Sequence, residues 1–261
     1  MACFHDINLG ALLDHYWYEI QLGDLFFFIM KKGDAYWSTN AYQGAIEPPM
    51  KQPLKLINAL PNGMEVKEKI YLREDADTPL VSLQLADKPY QVNPAAEVKI
   101  EPKSRLVLYV STPLWLQFKS GDGKVLVEYP TVVPRLSWVG TNTTEGSLCY
   151  STKTSAPSIF SEVKHYKHRA LTALELINDG DKLLTIDRLS LPLNILGLYY
   201  TANSGYWTES VRYRINPDTG DTTVVSAQRP PEELGDVTII AKARTANKTS
   251  RFRTAMNLIM G

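Results

Sequence analysis

His15 to Thr39 reads HYWYEIQLGDLFFFIMKKGDAYWST, and this stretch decides the fold. Three short runs of aromatic and branched apolar residues are separated by Gly23-Asp24 and by Lys32-Gly33-Asp34. Such residues suit a pleated, packed surface, and glycine beside aspartate suits the tight turn between antiparallel strands. The stretch predicts three consecutive aromatic strands. Neighbours on a strand point to opposite faces, so Trp17 lies opposite Tyr16 and Tyr18. Rings on both faces mean either two packed layers or an exposed aromatic patch of the kind that marks interaction sites.

The same grammar runs outward from there. From Ala41 to Pro61 the chain is proline-rich, which reads as a long connection with a helical turn near Leu54 to Leu60. Strand patterns resume at Glu65 to Leu72 and at Pro79 to Ala86, where Val81, Leu83 and Leu85 alternate with Ser82 and Gln84 as in a half-buried strand. Further strands are predicted on both sides of Pro102-Lys103-Ser104, after Gly121-Asp122-Gly123, and over Lys182 to Leu193. Glu209 to Ser226 is a hairpin turning at Pro217 to Gly220, and Asp236 to Ala246 is the last strand. The tail carries Phe252, Met256 and Ile259 at spacings that suit a short C-terminal helix. About fifteen short strands with frequent turns give an all-β, β-sandwich-type protein, as one large or two packed lobes. The expected division is an aromatic N-terminal part, 1–60, and a main region, 61–261, with a second seam near 141–146.

Composition narrows the class. The chain has 261 residues, 44% apolar and 21% charged, enough for a core without staples. Basic and acidic residues number 28 each, so no global field recruits nucleic acid. The N-terminus has no secretory pattern, and the longest apolar run, Leu25 to Met30, is too short to span a bilayer. A cytoplasmic protein with reduced Cys3 and Cys149, and without membrane insertion, is the expectation.

Three segments resemble the uncharacterised prokaryotic family called domain of unknown function 432. They are VKIEPKSRLVLYVSTPLWLQF (Val98 to Phe118), WVGTNTTEGSLCYSTKTS (Trp138 to Ser155) and ALTALELINDGDKLLTIDRLSLPLNILGLYY (Ala170 to Tyr200). The matching positions are Glu101-Pro102, Tyr109-Val110, Pro113, Gly140, Gly146 to Cys149, and Asn178, within a block from Pro79 to about Ile215. The pattern departs at Leu114 to Phe118, where the family has an acidic-glycine strand, and at Arg135 to Val139, where it has a Lys-Tyr pair. The resemblance implies no known activity. It implies a soluble prokaryotic β protein encoded beside mechanosensitive channels of the small-conductance type.

The candidate chemistry is sparse. His165 and His168 in EVKHYKHRALTALELIN (Glu162 to Asn178) are spaced H-x-x-H, which shares a face on a helix but not on a strand. A metal needs further ligands, and no H-E-x-x-H or cysteine cluster supplies them. Lys164, His165, Lys167, His168 and Arg169 are instead read as a basic strand or loop, with an anion-binding edge as its functional version. Cys149 lacks a neighbouring base in sequence and reads as buried. Asp75/Asp77 and Asp179/Asp181 read as turn residues. Trp115, Trp138, Tyr199, Tyr200 and Trp207 are the aromatic candidates for a binding face. No catalytic residue, metal or cofactor is assigned.

These readings lead to a non-catalytic interaction or regulatory module with a protein partner, a membrane-embedded one such as a mechanosensitive channel being what the resemblance implies. The alternative is a carbohydrate-binding or carbohydrate-active protein with a cleft between sheets, using carboxylates such as Asp75, Asp77, Glu128 or Glu209. A third is a structural assembly protein.

Overall fold

The computed structural model describes residues 7–43, 54–73, 78–140 and 146–245. Its described elements are twenty-two β-strands and three single 3-10 turns, so the all-β reading holds. The predicted C-terminal helix, Asp75/Asp77 and most of the 141–146 seam lie outside the described residues. The chain divides into two compact units, neither continuous in sequence: residues 1–84 with 114–133, and residues 85–113 with 134–261.

The first unit is a sandwich of two antiparallel sheets. One runs in the order Lys55–Ile57, Trp17–Leu22, Leu25–Lys32, Ala35–Tyr42, Glu68–Tyr71. The three aromatic strands lie at its centre, turning at Gly23 and Gly33, both at φ 58°, a conformation glycine adopts without steric cost. Their register sets Trp17 against Met30 and Ile20 against Phe27. The second sheet is Ile7–Asn8, Leu80–Gln84, Trp115–Lys119, Val125–Pro130. The inner faces meet through Tyr36 with Phe118, ring centres 5.7 Å apart, and Phe27 with Tyr129 at 5.8 Å.

Two local expectations fail here. Leu54 to Leu60 contains a strand, Lys55–Ile57, not a helical turn. The open backbone edge of Trp17–Glu19 recruits it, which local propensity cannot foresee. Leu80–Gln84 is not half-buried: Ser82 and Gln84 are buried as well as Val81 and Leu83. Its alternation separates apolar from polar side chains, but both faces are covered.

The second unit is organised by one strand, Arg169–Asn178. It pairs antiparallel with all nine residues of Arg105–Pro113. Its other side is shared in parallel by Gly205–Thr208, opposite Ala170–Leu171, and Val211–Ile215, opposite Leu174–Asn178. Such a strand is buried on both faces, and ALTALELI shows it as a near-continuous apolar run. Thr222–Ser226 at one end, with Leu198–Thr201 and Thr238–Ala241 at the other, completes a seven-stranded sheet. A four-stranded sheet runs Arg135–Gly140, Gly146–Thr154, Tyr90–Pro94, Leu189–Leu191, and Val98–Ile100 pairs with Leu184–Ile186. The single strand predicted over Lys182 to Leu193 is therefore two, placed in different sheets and broken at Asp187-Arg188. Fully buried Tyr213 ties the seven- and four-stranded sheets, its hydroxyl donating to the Ser190 carbonyl at 2.8 Å.

Asn178 is the polar centre of this unit. Its Nδ2 shares two hydrogens among the carbonyls of Ile100 (3.0 Å), Glu101 (3.0 Å) and Lys182 (2.8 Å), and its Oδ1 accepts from the Gly180 N–H at 3.0 Å. One amide thus fixes the Glu101-Pro102 turn to the end of the central strand.

Candidate functional site

The basic segment disperses on folding. Residues 163–168 form an irregular connection between the turn Phe160–Glu162 and the strand Arg169–Asn178. Val163 is drawn into an apolar cluster with Tyr109, Leu171, Ala173, Trp207 and Leu234. Lys164 and His165 are exposed, and Lys167 is half-buried. The His165 ring lies 6.3 Å from that of Trp207, whereas His168 packs 5.7 Å from Tyr166. His168 is buried, and burial, reinforced by the Arg169 charge, lowers its pKa to about 4. It is therefore neutral near pH 7 and adds no charge to an anion-binding edge. Arg169 points into the fold, donating from Nε to Ser111 Oγ (3.0 Å) and from Nη2 to the Ser111 carbonyl (2.7 Å) and Thr152 Oγ1 (3.1 Å). Among the described residues no three of His, Cys, Asp and Glu converge as metal ligands.

Of the five candidate aromatics, two are buried, two half-buried and one exposed. Trp207 is fully buried, stacked on Phe160 at 5.7 Å, with its indole N–H donating to Ser204 Oγ at 3.0 Å. Trp115 is buried in the first unit. Tyr199 and Tyr200 are half-buried, and Tyr200 packs on Tyr206 at 5.2 Å. Trp138 alone among the five is exposed.

Several polar groups resemble catalytic constellations but are committed to the fold. Glu209 accepts from the Gly197 N–H (3.3 Å) and the Ser226 hydroxyl, and it holds the Tyr199 phenol above its usual range after the larger effect of burial. Glu68 accepts from Tyr129 (2.6 Å) and Ser38 (3.1 Å). Glu128 accepts from Gln117 at 2.9 Å. Asp87 binds Lys88 and the Tyr150 hydroxyl. Asp179 and Asp181 pair with Arg214 and Lys103 beside their turn. Cys149 is fully buried, and burial pushes its thiol up, away from the thiolate a nucleophile requires.

What remains is the hairpin Arg135–Gly140/Gly146–Thr154. Its register places Leu136 opposite Tyr150 and Trp138 opposite Leu148. These four share one face, because opposite residues on paired strands point the same way. Tyr150 is buried against Tyr90, but Leu136, Leu148 and Trp138 are 66%, 44% and 46% exposed. The indole of Trp138 lies over Gly146, where an added Cβ would fall 2.0 Å from its Nε1, so glycine gives the ring its seat.

The opposite face is polar. Ser137 donates to Gln91 (3.3 Å), Gln91 to Asn93 (3.1 Å), and Asn93 to Ser151 (3.0 Å). Arg135 and Lys153 are exposed on this face, and neither forms an ion pair among the described residues. Among the described residues Arg135–Gly140 lies at the end of its sheet. Sequence reading found Trp138 but not Leu136 or Leu148. Their signal was alternation in RLSW and SLCYS, which marks a two-faced hairpin without saying which face is left uncovered.

The family model described as "Protein of unknown function (DUF432)" matches residues 11–260, nearly the whole chain and well beyond the block from Pro79 to Ile215. The chain belongs to that family. Neither the curated proteins nor the solved structures contain a match to it.

Proposed function

We propose that this DUF432 member is a non-catalytic protein-interaction module that docks its partner on the Arg135–Gly140/Gly146–Thr154 hairpin. One observation carries the reading: Leu136, Trp138 and Leu148 stand side by side and exposed on one face of that hairpin. Scattered exposed apolar residues are ordinary, but a contiguous group with an aromatic anchor is what interfaces use. The rival carbohydrate reading needs converging carboxylates with free lone pairs. Glu68, Glu128 and Glu209 instead accept hydrogen bonds from the chain's own side chains or backbone.

A membrane-embedded partner is the finer form of the proposal, and one experiment addresses both. Tagged wild-type protein and Leu148→Asp are used to capture partners from detergent-solubilised host cells. Leu148 lies on the inner strand of the hairpin, so the charge spoils the apolar face without touching the outer edge. A stoichiometric partner held by the wild type and lost by the variant supports the reading. Equal capture by both refutes it, and a partner without membrane spans refutes the finer form.

A further inference from the structure

The polar face of the hairpin has a direction. Asn93 Nδ2 donates both to Ser151 Oγ (3.0 Å) and to the Thr152 carbonyl (3.3 Å). A carbonyl oxygen can only accept, so it fixes which end of the Asn93 amide points that way. Asn93 Oδ1 is then the atom that faces Gln91, and it accepts from Gln91 Nε2 at 3.1 Å. Gln91 Oε1 is left to accept from the Ser137 hydroxyl at 3.3 Å. Donation therefore runs from Ser137 to Gln91 to Asn93 to Ser151. Ser151 Oγ ends the chain as an acceptor, and its own hydrogen has no acceptor among the described residues.

Two cations stand beside that hydroxyl. Arg135 is the cross-strand partner of Ser151, so their side chains share a face with Cβ atoms about 5 Å apart. Lys153 lies two residues along the strand from Ser151, on the same face and about 7 Å away. Gln91 and Asn93 are the parallel-register neighbours of Ser151 and Lys153. Ser151 is half-buried, while both cations are exposed and form no ion pair among the described residues. In the same unit Lys103, Arg212 and Arg214 each meet a carboxylate, from Asp181, Glu175 and Asp179. None of the residues on this face of Tyr90–Pro94, Arg135–Gly140 and Gly146–Thr154 is acidic. The face thus presents an oriented donor and two unmatched positive charges together.

We propose that Arg135, Ser151 and Lys153 form a binding site for a phosphomonoester dianion. The guanidinium takes two terminal oxygens in its planar fork, the ammonium holds the third as a point charge, and the Ser151 hydroxyl donates to one of them. A carboxylate brings one charge and two oxygens, so it satisfies the guanidinium and leaves Lys153 unmatched. Two cations with a hydroxyl donor select the dianion. The phosphoryl group can belong to a small molecule or to a phosphorylated side chain of a partner, and the chemistry at the site is the same. This inference goes beyond the docking reading above, because it uses the face opposite Leu136, Trp138 and Leu148.

The probes are phenyl phosphate, benzoate, and a phosphoserine peptide with its unphosphorylated form. Each is titrated calorimetrically into the full chain at low and at moderate salt. The wild type is compared with Arg135→Gln, Lys153→Gln, Ser151→Ala and Leu148→Asp, each first checked for folding by its thermal transition. Phenyl phosphate should bind at least about tenfold more tightly than benzoate. Arg135→Gln and Lys153→Gln should each weaken it about tenfold and Ser151→Ala several-fold, and affinity should fall as salt rises. Leu148→Asp, on the other face, should bind phenyl phosphate as the wild type does.

Equal affinity for phenyl phosphate and benzoate overturns the site, as does the absence of phosphate binding. Phosphate binding that none of the three site substitutions weakens marks an adventitious ion only, and overturns it too. Where the site holds, a phosphopeptide bound more tightly than phenyl phosphate, with its unphosphorylated form unbound, gives the phosphoryl group to a partner side chain. Equal affinity for the two phosphates gives it to a free phosphomonoester. The docking reading fails or stands separately, by whether Leu148→Asp still captures the cellular partner.

Discussion

Replacing Asn178 by alanine would remove the amide that holds the Glu101-Pro102 turn to the central strand. Four contacts go at once: the two amide hydrogens shared among three backbone carbonyls, and one bond accepted from the Gly180 N–H. The bonds to the Ile100 carbonyl and from Gly180 are buried, while those to Glu101 and Lys182 are partly accessible and water can replace them in part. A buried backbone group left without a partner costs about 1–3 kcal/mol, and a water-replaceable one less. The loss should therefore be about 3–5 kcal/mol, a large share of the roughly 5–15 kcal/mol that holds a domain together. Hydrogen exchange read by mass spectrometry fits a two-unit protein better than one global transition. Protection should collapse over Val98–Ile100 and Leu184–Ile186 while the Trp17–Leu22 hairpin in the other unit keeps its own. Asn178→Asp should be no better near neutral pH, since a carboxylate cannot donate to three carbonyls. A loss below about 1 kcal/mol for Asn178→Ala would refute the reasoning.

Three further outcomes can be checked. The Tyr150 N–H donates to the Pro89 carbonyl, so Cys149 turns its backbone toward Ser137; Ser137→Pro should therefore cost at least about 2 kcal/mol in urea unfolding, whereas Leu136→Pro, whose N–H lies outside that ladder, should cost no more than Leu136→Ala within about 1 kcal/mol, and equal costs would refute this backbone orientation. His168 is neutral in both folded and unfolded chains above its ordinary pKa of about 6.5. Between there and its folded pKa of about 4 only the unfolded chain takes up the proton, so stability falls with pH and the contribution levels off below. The loss is on the order of 3 kcal/mol, and the difference between pH 7 and pH 4 should shrink accordingly in His168→Phe. In a Cys3→Ser background, Cys149 should resist thiol reagents in the native protein and react fully once it is unfolded, as intact-mass analysis would show.

The fold was legible where residue chemistry and geometry coincide locally. Gly23 and Gly33 announce left-handed turns because glycine adopts them without strain, and the alternation in VRYRI sends Arg212 and Arg214 out while Tyr213 goes in. Pairing between distant strands was not legible. Lys55–Ile57 becomes a strand because an edge is waiting for it, and Leu184–Ile186 and Leu189–Leu191 separate because two sheets claim them. The candidate site was the hardest part. A histidine pair with three cations looks like a surface in one dimension, but burial silences His168 and the interior takes Arg169. The positions that carry the family resemblance turn out to be joints: Asn178 against Glu101, and Gly146 under Trp138.

The interleaving of the two units sets the order in which the chain can fold as it is made. The first sandwich cannot close until Trp115–Lys119 and Val125–Pro130 have been synthesised, so Phe27 and Tyr36 wait for partners. Meanwhile Arg105–Pro113 has already emerged, and its ladder partner Arg169–Asn178 comes only after the first unit is complete. The parallel neighbour Val211–Ile215 arrives later still. Contacts between segments so far apart in the chain are slow to form and leave apolar strands unprotected in the interval. A ribosome-bound chain halted once residue 133 has cleared the exit tunnel would carry a finished first unit and a stranded segment, 85–113, exposing Leu108 and Val110. The vulnerable moment for aggregation is therefore between the two closures. For the same reason neither unit can be excised as a continuous fragment, and separating them requires splicing 84 to 114 or 113 to 134.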